Sequence, residues 1–561
     1  MIFSRDPQVA EQQMTAIIVY CTTFGYIDGK FDLAEKEFIR RYIQSLCEVR
    51  IEDSGVTDVR VARDMLDKWK RHYDEVFDRI DAGIFKLFDE VVWGTEEQTR
   101  FVFARLKLQC FELFKAFDPE NRRRLMAVSQ GLIAADGKVH PAEEAFRQEL
   151  MALLDARTPE PAPFPPSPSG PLPVTGPVQL RPAAENHPVL DQLERHFSRD
   201  RGRLARELEN DLELVRRCVG LWDEQRQTGH NKLMGKQTVA DLAGSGEMLD
   251  RYVYSLMPGP GQDYELVVFG DLHGCYSCLK GALLQADFFG KVDRWRRDPR
   301  GNPCPKLVFL GDYIDRGIYS YDGIMRAVMQ LFVSYPQHVY VLRGNHEYYV
   351  LLGGKVAGGV RPAEAIASLE PYAGNDVLEA YRVMFENMPT ALIFDRTLFV
   401  HAGIPRDETL QQRWRDLSSL NEHEIRFQMM WSDPSTASFI PADLQRENAR
   451  FPFGKQQFRG FMNRIGCTTM VRGHEKIDEG FKAIFADPDI SLLNLFSAGG
   501  AQNADLPPES SYRKVTPMAL LVRWRNGQAS ASPFAIDWQS FQSPQRNQFM
   551  KRPPELEFRY Q

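Results

Sequence analysis

Five short apolar runs in the second half of the chain have the length and composition of β-strands, and each ends in a cluster of polar residues. The clusters are GDLHG (Gly270–Gly274), GDYIDRG (Gly311–Gly317), RGNHE (Arg343–Glu347), HAG (His401–Gly403) and RGH (Arg472–His474). In open α/β sheets, ligands bind beyond the carboxyl ends of the strands. We therefore expect these strand ends to meet at one edge and to form one polar site.

The side chains that would meet there are of the kinds that bind metal ions. They are carboxylates, an amide and imidazoles, from Asp271, His273, Asp312, Asp315, Asn345, His346, His401 and His474. Oxygen and nitrogen donors together suit borderline divalent ions such as Mn, Fe or Zn, and the absence of Cys from the set argues against a structural zinc site. The sequence therefore predicts a divalent-metal site.

A proline-rich segment divides the chain of 561 residues. Residues 158–188 favour extended polyproline II structure over a packed core, so we expect a linker there. Upstream, apolar residues at three- and four-residue steps predict an all-helical domain over residues 1–157. Downstream we expect a helical segment over 189–258, a catalytic domain over 259–535 on which it packs, and a C-terminal tail over 536–561.

The predicted helical domain contains a weak internal repeat. Asp28-Gly29-Lys30 and Asp136-Gly137-Lys138 each precede an acidic helix start, and Asp32 and Glu143 are among the acidic residues there. These residues could cap helices or hold a hard cation, and their spacing does not fit a calcium loop. The region resembles the TerB-like tellurite-resistance domain, which implies metal or stress sensing and a regulatory partner.

Composition and charge exclude several classes of protein. A formal charge of -7 gives no general electrostatic reason to bind nucleic acid or an anionic membrane. No apolar run approaches the length of a membrane span, and eight scattered cysteines do not form a dense disulfide framework. We expect a cytoplasmic protein.

The five polar motifs, in this order, resemble those of the calcineurin-like metallophosphoesterases, and more narrowly those of the phosphoprotein phosphatase (serine/threonine phosphatase) family. The segments Phe385–Pro405 and Trp431–Pro434 (WSDP) also resemble that family, and the resemblance covers about residues 264–522. It implies an α/β fold, a metallophosphoesterase β-sandwich flanked by helices, beside the separate all-α N-terminal domain. It also implies hydrolysis of phosphomonoesters by a hydroxide that bridges two metal ions.

The resemblance assigns a role to each site residue. Asp271, His273 and Asp312 would hold the first ion, and Asp312, Asn345, His401 and His474 the second, with Mn expected before Fe or Zn. His346 would protonate the leaving alkoxide while Asp315 orients its imidazole. Three arginines would bind the substrate phosphate, although the last is as readily an ordinary surface residue: Arg316, Arg343 and Arg450.

The chain departs from the family pattern in three places, and these leave the substrate open. YYVLLGGKVAGGV follows GNHE, SAGGA begins at Ser497, and KVDRWRRDPRGNPCPK lengthens the gap between the first two motifs. The expected substrate is a phosphoserine or phosphothreonine protein. A nucleotide phosphohydrolase of the diadenosine-tetraphosphatase type and a stress- or metal-sensing scaffold with a vestigial phosphatase domain are the alternatives.

Overall fold

The computed structural model describes residues 3–4, 6–27, 31, 33–53, 56, 58–87, 98–115, 117–118, 120–123, 141–155, 170–446 and 450–559. The chain divides into two compact units. The helical unit comprises Met1–Pro161 and Ser435–Gly454, and the sheet unit comprises Ala162–Pro434 and Lys455–Gln561.

The helical unit is built from amphipathic helices around an apolar core. Asp6 caps the first helix by accepting from the backbone N–H of Gln8, and Pro7 occupies the first turn, where no N–H is needed. Buried aromatic rings fill the core, among them Phe24 and Phe114. The helices are α1 (Pro7–Gly25), α2 (Leu33–Asp53), α3 (Val59–Leu87), α4 (Gln98–Lys115), α5 (Pro141–Asp155) and the short α15 (Ala442–Arg446).

The predicted helical character of the N-terminal region is confirmed, but the unit also contains a distant part of the chain. Segment 435–454 contributes Ala437, Ile440 and Leu444 to the core of the helices, and the Ser435 hydroxyl bonds to Glu112 on α4. The two Asp-Gly-Lys turns and residues 158–169 of the proline-rich segment lie outside the described residues. The predicted domain boundaries stay a prediction.

The helices of the sheet unit are α6 (Pro188–Leu193), α7 (Arg201–Gly229), α8 (Tyr276–Gln285), α9 (Phe288–Arg297), α10 (Arg326–Ser334), α11 (Glu364–Leu369), α12 (Asn375–Asn387), α13 (Asp407–Arg413), α14 (His423–Met429) and α16 (Lys455–Ile465). Its strands are β1 (Glu247–Asp250), β2 (Val253–Leu256), β3 (Tyr264–Phe269), β4 (Cys304–Phe309), β5 (Val339–Val341), β6 (Tyr349–Leu352), β7 (Lys355–Gly358), β8 (Ala391–Phe394), β9 (Thr397–Val400), β10 (Asp433–Pro434), β12 (Thr469–Arg472), β13 (Phe481–Ala486), β14 (Ser491–Leu495), β15 (Met518–Arg525) and β16 (Gln528–Ala535). The short strand β11 (Pro452–Phe453) belongs to the helical unit.

Two mixed sheets carry the core of the sheet unit. In the described residues, one has the order β1-β2-β8-β9-β12-β14-β13 and the other β16-β15-β3-β4-β5. The strands β3, β4 and β5 run parallel, with Val267 beside Leu307 and Leu307 beside Val339. In the other sheet β9 and β12 are also parallel, with Leu398 beside Met470.

The five motif-bearing strands are therefore divided between two sheets, not carried by one. The sheets approach at Gly270, where a Cβ atom would lie 2.0 Å from the carbonyl oxygen of Leu495. Only a glycine allows this close approach, and a backbone bridge between Asp271 and Phe496 follows directly. The polar ends of both sheets consequently meet.

Residues 170–188 of the proline-rich segment run along the sheet unit. The backbone N–H groups of Thr175 and Val178 donate to the carbonyl oxygens of Ala531 and Pro533 on β16, at 2.8 and 2.9 Å. The Leu172 N–H donates to Thr469 Oγ1 at 2.8 Å. This part of the expected linker is anchored, because the prolines leave enough N–H groups to pair with the edge strand β16.

Buried ion pairs attach α7 and the end of α6 to other helices of the sheet unit. Arg326 on α10 donates to both carboxylate oxygens of Asp211 on α7, at 2.8 and 2.9 Å. Lys280 on α8 pairs with Glu194, and both side chains are fully buried. Among the described helices of both units, none combines the length and the apolar composition that a bilayer span requires.

Candidate active site

The polar motifs lie at the carboxyl ends of β3, β4, β5, β9 and β12. Within the described residues two groups of three side chains are close enough to share an ion, since the donor atoms in each group lie within 4.8 Å of one another. The first group is His273, Asp312 and His346, and the second is Asp312, His401 and His474. All are buried, and Asp312 belongs to both groups.

Asp271, His273 and Asp312 form the first part of the site. Nε2 of His273 lies 3.7 Å from Asp271 Oδ2 and 3.5 Å from Asp312 Oδ2. His273 Nδ1 donates to the carbonyl oxygen of Ile314 at 2.9 Å. Burial lowers the pKa of His273 well below its ordinary value, so the neutral ring turns the lone pair of Nε2 towards the carboxylates.

Asn345, His401 and His474 form the second part. The Asn345 amide lies 2.8 Å from His401 Nε2 and 3.0 Å from His474 Nδ1. His401 Nδ1 lies 3.1 Å from the Leu310 carbonyl oxygen, so the proton belongs there and Nε2 is an acceptor. With the Asn345 amide oriented so that its NH2 group faces these two rings, it donates to His401 Nε2 and to His474 Nδ1.

This donor set fits divalent metal ions. Asp271 Oδ2 is buried and accepts no hydrogen bond from the described residues. Burial, followed by repulsion from the Asp312 carboxylate, raises the pKa of Asp271 to about 7. A buried carboxylate oxygen without a hydrogen-bond partner is unfavourable, and a bound cation would stabilise it. The residues that would hold it are Asp271, His273, Asp312, Asn345, His401 and His474.

His346 and Asp315 form a pair beside the first group. His346 Nδ1 and Asp315 Oδ2 are 2.7 Å apart, while Nε2 of the same ring lies 3.9 Å from Asp312 Oδ2. The second oxygen of Asp315 accepts from the Ala365 N–H at 2.8 Å. Burial raises the pKa of Asp315 to about 6, although Arg316 and the Ala365 N–H oppose this rise. The ring is thus held with Nε2 directed to the metal-binding side.

Several site residues have a left-handed backbone conformation that non-glycine residues rarely adopt. The φ angles are 40° at His273, 56° at Asp312, 66° at Asp315, 64° at Arg316 and 69° at His474. Such conformations persist only where the surrounding contacts enforce them, and they concentrate at functional sites. Their grouping on predicted site residues, three of them predicted metal ligands, marks this edge as the functional one.

The three predicted phosphate-binding arginines have different surroundings. Arg316 is partly exposed and pairs with Glu364. Arg343 is buried, donates to the Glu347 carbonyl oxygen at 3.2 Å and lies 5.4 Å from the centre of the Tyr348 ring. Burial and the like charge of Arg426 lower the pKa of Arg343 to about 10. Its role in phosphate binding stays a prediction.

Arg450 lies on segment 435–454 of the helical unit. It occupies a bend just before β11 and is partly exposed. Its role in phosphate binding stays a prediction.

Sequence reasoning missed a residue that organises the backbone of the site. The Glu347 carboxylate accepts from the N–H groups of Asp312, Tyr313 and Gly344, at 2.8, 2.9 and 3.0 Å. A Cβ at Gly344 would meet Asp312 Oδ1 at 2.2 Å, so only glycine fits between the two motifs. The position of Glu347 at the end of GNHE was the available signal.

Tyr512 is a second residue that the motifs did not reveal. Its ring centre lies 5.3 Å from that of His273 and 5.1 Å from that of Phe496. It follows the SAGGA segment by eleven residues, and no local pattern marks it in the sequence. Its ring covers the His273 side of the site.

The basic RWRRDPR segment lies at the opposite end of the sheet. Trp295 on α9 packs 5.0 Å from the ring of His338, which directly precedes β5. Trp295 and Arg300 line a cavity of about 720 Å³ beside Tyr264, the first residue of β3. The segment therefore lies at the amino ends of these strands, away from the polar motifs.

The region that contains the five polar motifs is similar to known proteins. The sequence model of the calcineurin-like phosphoesterase family matches residues 264–478. The serine/threonine-protein phosphatase PP1-1 of Saccharomyces cerevisiae is 31% identical over 229 residues, which are 40% of this chain and 67% of the relative. The chain belongs to the calcineurin-like phosphoesterase family.

Two further comparisons give the extent of the likeness. A probable serine/threonine-protein phosphatase of Encephalitozoon cuniculi is 24% identical over 298 residues, 52% of this chain, and the chain spans only 55% of that relative. A solved serine/threonine phosphatase from Saccharomyces cerevisiae, described as similar to human phosphatase PP5, has a TM-score of 0.35 at 16% identity. The matched region covers 59% of this chain and 90% of the solved phosphatase.

Family membership confirms the predicted fold class, a mixed α/β phosphoesterase domain with a helical N-terminal region. It also confirms the enzyme class, because the family consists of metal-dependent phosphoesterases and the site has the Asp, Asn and His groups that can bind the ions. The identity of the metal and the role of each residue stay predictions.

Proposed function

We propose that this protein hydrolyses phosphomonoesters with two divalent transition-metal ions, and that its substrates are phosphoserine or phosphothreonine proteins. The observation that supports this most is the His346–Asp315 pair beside the shared carboxylate Asp312. A scaffold with a vestigial site would not need this pair. The serine/threonine-phosphatase relatives favour a protein substrate.

The ions would be held by Asp271, His273, Asp312, Asn345, His401 and His474, and Mn is our first expectation. When bound, such ions lower the pKa of water and neutralise phosphoryl oxygens. The protein fixes the orientation of the side chains that would bind the ions. The two imidazoles His273 and His401 each direct Nε2 inwards because their Nδ1 protons are engaged by backbone carbonyl oxygens.

His346 supplies the proton for the leaving group. The Asp315 carboxylate accepts from His346 Nδ1 and stabilises the imidazolium form of the ring, in which Nε2 also carries a proton. That Nε2 proton is the one transferred to the departing alkoxide, and it leaves a neutral ring with its remaining proton on Nδ1. An alkoxide is a poor leaving group, and protonation removes its charge as the bond to phosphorus breaks. Arg316 binds the phosphoryl oxygens through the nitrogens of its guanidinium that Glu364 leaves open.

A substrate panel tests this function. Purified full-length protein, loaded with Mn, is given nitrophenyl phosphate, phosphoserine and phosphothreonine peptides, and dinucleotide polyphosphates. We expect hydrolysis of the monoesters and the peptides and its loss on chelation. Preference for the dinucleotides would instead identify a nucleotide phosphohydrolase. Metal binding without any turnover would favour the sensing scaffold.

The helical unit has an accessory role in this proposal. Its resemblance to TerB-like domains suggests that it senses a metal or a stress signal, or that it binds a regulatory partner. We expect the protein to act in the cytoplasm, without nucleic acid or membrane as a partner. Expression with a fluorescent tag would locate it, and pull-down with the isolated N-terminal residues would test for a partner.

A further inference from the structure

We propose that Glu364 is a positioning residue that sets the direction in which Arg316 offers its guanidinium to the substrate phosphate. The inference rests on the proposed function, because it takes Arg316 as the phosphate ligand. It concerns a residue that lies four positions after YYVLLGGKVAGGV, the segment that departs from the family pattern.

The contacts of Arg316 are concentrated on one nitrogen. Its Nη1 donates to both carboxylate oxygens of Glu364, at 2.9 and 3.0 Å, and to the carbonyl oxygen of Pro362 at 3.0 Å. The Glu364 side chain is 8% exposed and that of Arg316 is 22% exposed. A charged pair with so little exposure is held more firmly than one on an open surface.

The remaining donors of Arg316 are left for a ligand. Its Nη2 and Nε make no hydrogen bond with any residue in the part of the chain that the structure describes. These two nitrogens form one side of the guanidinium fork, which matches two oxygens of a phosphoryl group. Glu364 therefore restricts rotation of the guanidinium and does not occupy the side that would meet the phosphate.

The same turn also holds the acid pair. The N–H of Ala365, the neighbour of Glu364, donates to Asp315 Oδ1 at 2.8 Å, while Asp315 Oδ2 is bonded to His346. Asp315 and Arg316 both have positive φ angles, 66° and 64°, and such a backbone pair needs outside contacts to persist. Residues 362–365 thus fix the arginine and the acid pair together.

An opposite role would be autoinhibition, in which Glu364 competes with phosphate for Arg316. The two roles predict opposite effects. If Glu364 positions Arg316, its loss weakens phosphate binding. If Glu364 competes with phosphate, its loss strengthens phosphate binding.

The experiment compares Glu364→Gln, Glu364→Asp and the matched control Glu370→Gln, which removes an exposed carboxylate just after α11. Calorimetry with inorganic phosphate on Mn-loaded protein measures binding without turnover, and steady-state kinetics on nitrophenyl phosphate gives kcat and KM. We expect Glu364→Gln to raise the phosphate Kd and the KM about tenfold, the scale of a charged hydrogen bond, with a smaller change in kcat. Glu364→Asp should recover part of the loss, and Glu370→Gln should match wild type.

A second arm tests whether Glu364 acts through Arg316. In an Arg316→Ala background, Glu364→Gln should change phosphate binding by less than about twofold, because the group that it positions is absent. Equal effects in both backgrounds would overturn the proposal, as would an unchanged or lower phosphate Kd in Glu364→Gln. Wild-type protein that binds phosphate but hydrolyses no monoester would overturn the proposed function and leave this binding test standing. Thermal unfolding of each variant separates a local effect from loss of the fold.

Discussion

Asp312 is the residue on which the other groups of the site converge. Its carboxylate lies 3.3 Å from His401 Nε2 and 3.5 Å from His273 Nε2, and it accepts from the His346 N–H at 3.0 Å. The Glu347 carboxylate in turn fixes the Asp312 backbone. One oxygen of Asp312 therefore faces each of the two groups of predicted ligands.

Replacement of Asp312 by Asn should reduce the bound metal from two ions per chain to fewer than one, because the neutral amide lacks the charge that both positions share. Elemental analysis of desalted protein measures this, with Asp376→Asn, an exposed residue on α12, as the control. A folded Asp312→Asn protein that retains both ions would contradict the bridging role.

Replacement of His346 by Asn should lower kcat by roughly two to four orders of magnitude while the metal content is unchanged, because a general acid contributes about that much. The loss should be smaller for nitrophenyl phosphate than for a phosphoserine peptide, since nitrophenolate leaves without protonation. The exposed His230 provides the control, as His230→Asn. Equal losses on both substrates would show that His346 has another role.

For single residues, the sequence was informative where a polar residue lies within three positions of the end of a strand. Asp271, Asp312 and His401 could be placed because each ends an apolar run that forms a strand in the structure. The contact of Glu364 with Arg316 could not be predicted, because the two residues are 48 positions apart in sequence and meet only in the folded chain.

At the scale of elements, the strands themselves were predictable but their distribution was not. Apolar runs determine that β3, β4, β5, β9 and β12 form. The strands β9 and β12 lie in a second sheet because distant segments pair with one another, such as β2 with β8. Local composition carries no information about such pairing.

The pair of Arg326 and Asp211 gives a prediction about how α7 is attached. Replacement of Arg326 by Met should destabilise the sheet unit by about 3–5 kcal/mol, because Asp211 would remain buried without its partner. The double variant Arg326→Met, Asp211→Leu should recover most of this loss, since the buried charge is then removed. Denaturant unfolding measures the free energy of both. A single variant as stable as wild type would show that α7 is held by apolar contacts alone.

At the scale of the whole molecule, the proline-rich segment suggested that the first 157 residues are independent of the rest of the chain. The grouping of segment 435–454 with the helices alters that expectation. This segment begins two residues after Asp433, which pairs with Arg472 at 2.8 Å, and it carries Arg450. Segment 435–454 therefore belongs to the helical unit, although it follows β10 and precedes α16 in sequence. The composition of the segment does not indicate that it packs with the N-terminal helices.

Deletion of residues 1–161 should consequently leave the metal site but loosen segment 435–454. All six predicted ligands lie in the sheet unit, so the truncated protein should still bind two ions. Ile440 and Leu444, which are 0% and 2% exposed in the full chain, would lose their apolar partners. We expect faster proteolysis within 435–454 and, if Arg450 binds phosphate, a higher KM for nitrophenyl phosphate.

Limited proteolysis with mass spectrometry of the fragments measures the first effect, with full-length protein as the reference. A full-length Ile440→Ser variant should reproduce the cleavage, because it weakens the same contact, whereas Leu351→Ser at a position 51% exposed should not. If the truncated protein is cleaved in 435–454 no faster than the full chain, the helices do not hold this segment in solution. The N-terminal residues would then be the independent domain that the proline-rich sequence suggested.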